Sequence, residues 1–142
     1  MKRKVKVKSL AKWKKDLWKI FSLYVRLRDN NQCFTCGRFG TGSGIHAGHY
    51  IVKAGAGLRL YFHEQNVHAQ CYHCNINLSG NADVYNIKMV ERYGKRVLKK
   101  LRDLRNEDLS NPLQYTIEDY QRLIKKYKKK YVKLQNGQQA HL

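Results

Sequence analysis

Residues 33–36 read Cys-Phe-Thr-Cys and residues 71–75 read Cys-Tyr-His-Cys-Asn, so two Cys-x-x-Cys pairs bracket the segment 37–70. Four thiolates from two such pairs satisfy a tetrahedral structural zinc site. In the reducing interior of a cell, paired motifs of this kind are typical of metal ligands and not of disulfides. We therefore predict one structural zinc ion that ties the two ends of the segment together, with the ligands Cys33, Cys36, Cys71 and Cys74.

The charge of the chain is strongly positive. Its 142 residues include 29 Lys and Arg against 10 Asp and Glu, which gives a formal net charge of +19. Such a charge favours a polyanionic partner, and nucleic acid is the leading candidate. The basic residues concentrate in 1–19, 88–105 and 122–133, whereas 20–87 is nearly neutral. The candidate DNA contacts are Lys12, Lys15, Lys19, Lys53, Arg59, Lys95, Arg96, Lys99, Lys126 and Lys129.

Hydrophobic periodicity predicts helices around a small β-structure. Apolar residues recur at helical spacing from Leu10 to Tyr24, with Ser9 placed to cap the helix. Trp18 lies off this stripe, and its role is left open between core packing and base stacking. The middle of the chain has strand-like stretches at 46–52 and 66–69, joined by a flexible glycine-containing loop at 54–57.

Helical patterns return after the second cysteine pair. Asn81 is placed to cap a helix that Gly94 ends, and a further helix ends near Asn106. Thr116 and Asp119 have capping-box spacing at the start of the last helix. The predicted class is α+β: a small zinc-clamped hairpin core within mostly helical flanks. We predict one domain over 1–142, with a basic amino-terminal helix (1–30), a zinc core (31–80), carboxy-terminal helices (81–134) and a frayed polar tail (135–142).

Several runs together resemble a known family over about residues 9–105. They are Cys33-Phe-Thr-Cys-Gly-Arg, His46-Ala-Gly-His-Tyr, Asn66-Val-His-Ala-Gln-Cys-Tyr-His-Cys-Asn, Leu78-Ser-Gly-Asn and Tyr24-Val-Arg-Leu-Arg-Asp. They resemble the phage NinG/Rap recombination family, and the order knuckle, strand, loop, strand, knuckle, helix resembles the ββα-metal fold of His-Asn-His (HNH) nucleases. The resemblance implies a phage-encoded, structure-specific DNA endonuclease. It would hydrolyse phosphodiester bonds in branched recombination intermediates such as Holliday junctions, D-loops and flaps.

The resemblance also implies roles for particular residues. His49 would be the general base, oriented by Asn66, while His46 and Asn75 would hold one catalytic Mg²⁺ or Mn²⁺ separate from the zinc. Many nucleases of this superfamily have an acidic ligand directly before the base, and that position here is Gly48. Whether His46, His68 or another residue replaces the acid stays open, because residues 46 and 49 point to opposite faces of a regular strand. Asn77 and Asn81 compete with Asn75 as the second ligand.

Other functions remain as alternatives. A zinc-stabilised recombination accessory protein that binds DNA without catalysis has the same charge and cysteines. A rival zinc site would use Cys33 and Cys36 with His46 and His49. The expected partner is branched DNA, with recombination proteins and a homodimer left open. No membrane partner is expected, because neither a secretory signal nor a membrane-length apolar run is found. We expect the protein in the cytoplasm, that of the host cell if a phage encodes it.

Overall fold

The first helix, α1, begins where the sequence predicts it. The computed structural model describes residues 7–52 and 57–139, and α1 spans Leu10–Arg28. The side-chain oxygen of Ser9 accepts the backbone N–H of Lys12 at 3.2 Å, which confirms the cap. Leu17 and Phe21 of the predicted stripe are fully buried, whereas Leu10 at its start is exposed. Lys53, the residues 54–56 of the predicted loop and the tail beyond 139 lie outside the described residues.

The sheet is a single antiparallel hairpin. Strand β1 (Ile45–His49) pairs residue for residue with β2 (Val67–Cys71), from Ile45 opposite Cys71 to His49 opposite Val67. The first strand is shorter than the predicted 46–52, because the Asn66 side chain forms hydrogen bonds with the backbone of Ile51 in place of a strand partner. Its Oδ1 accepts the Ile51 N–H at 2.8 Å and its Nδ2 donates to the Ile51 carbonyl at 3.1 Å.

A one-turn helix, α2 (Leu58–Tyr61), lies between the strands and was not predicted. It is four residues long and has no side-chain cap, so it leaves neither the periodicity nor the capping signal that marks longer helices. Leu60 in this helix is fully buried and packs against the next helix. Helix α2 is therefore stabilised by the burial of Leu60 in the tertiary structure and not by local sequence signals.

Helix α3 spans Ala82–Ser110 and is interrupted at Gly94, as predicted, where φ is 76° and ψ is 166°. It continues past the predicted end near Asn106, because Asp108 in its last turn is buried and makes long-range contacts. Asp108 carboxylate oxygens accept the backbone N–H groups of Arg59 at 2.9 Å and Leu113 at 3.1 Å. The Arg59 contact comes from 49 residues away in the sequence and leaves no local signal.

Helix α4 spans Ile117–Gln139 and begins with the predicted capping box. The Thr116 Oγ1 accepts the Asp119 N–H at 3.2 Å, and the Asp119 carboxylate accepts the Thr116 N–H at 3.0 Å. The prediction of a frayed tail from residue 135 is wrong for 135–139, which remain helical. Glutamine is a good helix former, and it extends the helix here without burial.

The hairpin lies between two apolar layers. On one face, Ala47 and Val67 pack with Phe21 of α1, which also packs against Tyr127 of α4. On the other face, the Tyr85 hydroxyl of α3 donates to the Gly48 carbonyl at 2.9 Å. The chain is thus mostly helical around a two-stranded sheet, as the α+β prediction requires.

His68 of β2 belongs to the α3 layer. It is 1 % exposed, and its ring nitrogens lie 2.9 Å from the Tyr85 hydroxyl and 2.7 Å from the Tyr93 hydroxyl. Since the Tyr85 hydroxyl donates its own proton to the Gly48 carbonyl, it accepts a hydrogen bond from the His68 Nδ1–H. Burial, followed by the nearby charge of Arg28, lowers the pKa of His68 from 6.5 to about 3.

This burial makes stability depend on pH. Between the unfolded pKa of 6.5 and the folded pKa of about 3, the unfolded chain binds a proton that the folded chain does not. The His68 contribution to the free energy of unfolding therefore falls as pH decreases below 6.5, by up to about 1.4 kcal/mol per unit. We expect His68→Gln to remove this component in urea unfolding measured from pH 7 to 5.

The informative quantity is the difference in the free energy of unfolding between native protein and variant at each pH, because loss of metal from the cysteines at low pH is common to both. His73→Gln is the matched control, since His73 is exposed. Parallel unfolding energies for native protein and His68→Gln across this range would contradict the assignment.

Candidate functional site

The two cysteine pairs come together as predicted. The sulfur atoms of Cys33, Cys36, Cys71 and Cys74 all lie within 4.8 Å of one another, and the Cys36 and Cys71 sulfurs are 3.7 Å apart. Zn–S bonds of about 2.3 Å in a tetrahedral site place the sulfurs roughly 3.8 Å apart. The four cysteines could therefore hold a zinc ion. His46 and His49 make contacts elsewhere, which disfavours the rival zinc site.

Hydrogen-bond donors surround the sulfurs. The Cys33 sulfur lies 3.2 Å from the Thr35 hydroxyl, and the Cys71 sulfur accepts the Cys74 N–H at 3.4 Å. Burial raises the pKa of Cys33, but the Cys36 N–H and the Thr35 hydroxyl outweigh it and bring the pKa to about 6. Burial raises the pKa of Cys36 to about 12. Because metal binds thiolates, metal binding by this set releases protons.

His46 and Asn75 are brought into contact. A π-helical turn (His73–Asn77) follows the second cysteine pair and directs Asn75 toward β1. The Asn75 Nδ2 lies 3.0 Å from His46 Nδ1, and His46 Nε2 lies 3.0 Å from the Ser43 carbonyl. The carbonyl can only accept, so Nε2 carries the proton and Nδ1 presents the lone pair.

The other candidate amides lie elsewhere. The Asn77 Nδ2 is 3.3 Å from His73 Nδ1 on the exposed side of the turn. Asn81 occupies the predicted cap position of α3, but its side chain makes no cap hydrogen bond and its Nδ2 donates to the Cys74 sulfur at 3.6 Å. Of the three asparagines, Asn75 is therefore the one in hydrogen-bond contact with His46.

A groove runs along β1 between α1 and the π-helical turn. Its volume is about 340 Å³, and it is lined by His46 and Asn75 together with Trp18 and Arg26 of α1. Sequence patterns did not single out Arg26 as a functional residue, because it is one cation among 29 Lys and Arg. The groove therefore combines an imidazole, an amide, an arginine and an aromatic ring.

His49 occupies the end of β1 and is 7 % exposed. Its Nε2 lies 2.9 Å from the Tyr61 carbonyl of α2, so Nε2 carries the proton of the neutral ring and Nδ1 is the basic nitrogen. Its ring stacks on Trp18, with centroids 5.1 Å apart and planes inclined by 16°. These two contacts fix the tautomer and the plane of the imidazole.

Trp18 is thus part of the site, which periodicity could not reveal. It lies off the apolar stripe of α1, and its ring also meets Tyr61 edge-on at 5.4 Å. Trp18 lines the groove and stacks on His49, so its ring connects His49 with the groove. Only the position of α1 against the hairpin identifies this role.

Asn66 positions His49 indirectly. It is fully buried, and its Nδ2 donates to the carbonyls of Ile51 and Leu60. Leu60 precedes Tyr61, whose carbonyl bonds His49, so the Asn66 amide holds the backbone that orients the imidazole. The hairpin has a regular register without a bulge, and His46 and His49 lie on opposite faces of β1. His68 is enclosed by Tyr85 and Tyr93 and does not reach the groove.

Most candidate DNA contacts in the described ranges are exposed: Lys12, Lys15, Lys19, Lys95, Arg96, Lys99, Lys126 and Lys129. Lys12 and Lys99 also pair with acidic residues one helical turn away. Arg59 differs, because its side chain is 16 % exposed and pairs with Asp108 and Glu107. Its charge is compensated within the protein, which favours a structural role.

The fold and the site define a small, strongly basic, mostly helical protein whose hairpin is tied by four cysteines that could hold zinc. Within that class, the chain belongs to the family described as Bacteriophage Lambda NinG protein, whose model matches residues 1–137. No solved structure matches the chain.

Three relatives illustrate the similarity. The chain is 31 % identical over 136 residues to protein ninG of Escherichia phage 933W, covering 95 % of the chain and 64 % of the relative. The same identity and chain coverage hold for protein ninG of Escherichia phage lambda, with 63 % of the relative covered. Protein ninG of Salmonella phage P22 is 37 % identical over 93 residues, which are 65 % of the chain and 45 % of the relative. The chain thus spans less than two thirds of each relative's length.

None of the helices within residues 7–52 and 57–139 has both the length and the apolar character needed to cross a membrane.

The cysteine cluster gives a direct prediction. Native protein should contain one zinc ion per chain, and Cys71→Ser should lose both the metal and cooperative unfolding, because a structural site contributes its binding energy to folding. Metal content by mass spectrometry and thermal unfolding by circular dichroism measure the two effects. His73→Ala removes an exposed histidine within the same knuckle and should keep the zinc. Loss of zinc from His73→Ala would contradict the four-cysteine site.

Proposed function

We propose that this protein is a metal-dependent HNH-type endonuclease that hydrolyses phosphodiester bonds in branched recombination intermediates. The observation that carries the proposal is the contact of His46 with Asn75 at 3.0 Å, on the strand that ends in the oriented base His49. A protein that only binds DNA has no need for either arrangement. The relatives are phage proteins, which supports action inside a host cell, and we place that action in its cytoplasm.

The groove residues fit a hard divalent cation such as Mg²⁺ or Mn²⁺. His46 Nδ1 presents a lone pair, and the Asn75 amide has an oxygen that could turn toward the same point. An incomplete set of protein ligands suits an ion that also binds substrate phosphate. When bound, the ion would polarise the scissile phosphate and stabilise the leaving oxygen.

His49 would take the proton from the attacking water. Its Nε2–H is held by the Tyr61 carbonyl, so Nδ1 is the nitrogen that accepts the proton. The stacked Trp18 ring then faces the imidazolium and stabilises it, since aromatic faces attract cations. Asn66 keeps the Leu60 backbone, and through it Tyr61, in place during this transfer.

DNA would be held mainly through its phosphates. Arg26 in the groove can bind the phosphate next to the scissile bond, and the exposed lysines of α1, α3 and α4 can bind the flanking backbone. Contacts of this kind read shape and not sequence, which suits a branched substrate. Recombination proteins and a second copy of the chain are further candidate partners.

The first test is cleavage of a four-way junction, a flap and plain duplex in Mg²⁺ or Mn²⁺. His49→Ala should slow cutting by about a hundredfold or more, because a general base contributes roughly 10²–10⁴ to the rate. Binding of the junction and zinc content should be unchanged. His73→Ala serves as the histidine control and should cut at the native rate.

Two results would contradict the proposal. One is native cutting by His49→Ala. The other is binding of all three substrates without cutting by zinc-loaded native protein in either metal, which would favour the zinc-stabilised accessory protein that binds DNA without catalysis.

The phosphate contacts give a second prediction. The logarithm of the DNA association constant should fall linearly with the logarithm of salt, and Lys126→Ala with Lys129→Ala should reduce the slope by about 1.8, or about 0.9 for each contact. The measurement is a titration of labelled junction in the His49→Ala background. Gln135→Ala with Gln138→Ala, on exposed neutral residues of the same helix, should leave the slope unchanged. Equal slopes in the lysine variant would exclude α4 from the interface.

A further inference from the structure

Gln70 is a buried amide in the middle of the hairpin. It is fully buried on β2, opposite His46. Its Nε2 donates to the Gly80 carbonyl at 2.9 Å and to the Thr35 hydroxyl at 3.3 Å. Because a carbonyl can only accept, the Gly80 contact fixes which end of the amide is nitrogen. The direction of Oε1 is therefore set by the fold.

The Gln70 Oε1 has no hydrogen-bond partner within the part of the chain that the structure describes. Buried amide oxygens are almost always paired, since an unpaired acceptor loses its hydration without compensation. A buried oxygen that stays unpaired while its own nitrogen is firmly held calls for a specific explanation. An electropositive ligand supplies one.

Gly48 shows where this oxygen points. A Cβ built on Gly48 would lie 2.0 Å from Gln70 Oε1 and 3.1 Å from Asn75 Oδ1. Two amide oxygens thus approach the one position of β1 that carries no side chain, and a side chain at position 48 would displace Gln70. This is also the position where many HNH nucleases, which the sequence motifs resemble, place an acidic ligand.

We propose that Gln70 Oε1 is a ligand of the divalent ion and takes the place of the absent acidic side chain at position 48. Asn75 Oδ1 is the second oxygen. His46 Nδ1 accepts from Asn75 Nδ2 in this structure and would exchange that hydrogen bond for the ion, as the nitrogen ligand. The inference rests on the proposed metal-dependent function of the groove and adds a ligand to it.

The proposed ligand set carries no charge, and this has a consequence for binding. The number of charged ligands tunes affinity for hard cations, so an amide, amide and imidazole set holds the ion weakly by itself. DNA phosphates would supply the missing negative charge. The ion and the DNA should therefore bind cooperatively, and Mn²⁺ affinity should rise when DNA is present.

The experiment measures Mn²⁺ binding directly, by electron paramagnetic resonance of free Mn²⁺, in zinc-loaded His49→Ala protein with and without a four-way junction. Gln70→Glu places a carboxylate at the same position and should tighten Mn²⁺ binding without DNA by about tenfold or more. Gln70→Leu removes the oxygen and should weaken binding in the presence of DNA by at least a similar factor. Asn77→Asp adds a charge on the exposed side of the same turn and should change neither.

A second measurement, the thermal unfolding midpoint, monitors the folding of the variants. The buried carboxylate of Gln70→Glu should lower the thermal midpoint in metal-free buffer, and Mn²⁺ should raise that midpoint more than it does for native protein. A gain of Mn²⁺ affinity accompanied by a rise in the thermal midpoint requires binding to the folded state. Zinc content confirms that the cysteine site is intact in each variant.

The inference is overturned if Gln70→Glu binds Mn²⁺ no more tightly than native protein, or if Gln70→Leu keeps native affinity. Its outcome is separate from that of the proposed function. Cleavage that depends on His49 with Mn²⁺ binding unaffected by Gln70 would leave the nuclease standing and remove only this ligand. Mn²⁺ binding that depends on Gln70 without any cleavage would leave the ion site standing and remove the nuclease.

Discussion

The contact of four cysteine sulfurs is the constraint on which the rest of the core depends. A two-stranded hairpin alone is marginally stable at best in water, and this one has only five residues in each strand. The sulfurs bring the turn between Cys33 and Cys36 against the end of β2, where the Phe34 N–H donates to the Ala69 carbonyl at 2.7 Å. The cysteine cluster thereby holds the hairpin together at the Cys71 end, and α1 and α3 cover its two faces.

The same cluster positions the candidate site. The second pair leads directly into the π-helical turn that carries Asn75 to His46. The first pair is linked to the middle of the hairpin by another route, because Thr35 contacts both the Cys33 sulfur and the Gln70 amide. Any metal bound by the cysteines is therefore coupled to the orientation of both amides near Gly48.

The sequence predicts the parts of this arrangement that have local signals. Ser9, the Thr116–Asp119 capping box, Gly94 and the cysteine spacing each act within a few residues, and the structure confirms them. The remaining features depend on distant contacts. Helix α2 forms because Leu60 is buried, and α3 extends because Asp108 meets Arg59. Trp18 acquires its place only when α1 lies against the end of β1.

His49 and Gln70 illustrate the same limit at the site itself. Histidine is recognisable in a sequence as a candidate base, but its proton is placed by the Tyr61 carbonyl, twelve residues away. Glutamine carries no charge, and no metal-ligand spacing in this sequence includes Gln70. Its candidacy depends on a buried oxygen that has no partner in the described part of the chain. In the sequence, Gly48 only indicates that an acidic ligand is missing. In the fold, its lack of a side chain leaves the room that Gln70 occupies.

A neutral ligand set also suits the charge of the whole protein. A carboxylate beside the ion would neutralise part of its charge and would repel the phosphate that must approach it. With amides and an imidazole around it, the proposed ion would keep its full charge for a phosphate, and the cationic helices would supply the remaining attraction to DNA. The scarcity of acidic residues between 20 and 87 would then serve the same purpose as the basic flanks, which is to favour a negatively charged substrate. Both would leave negative charge to be supplied by the proposed DNA substrate.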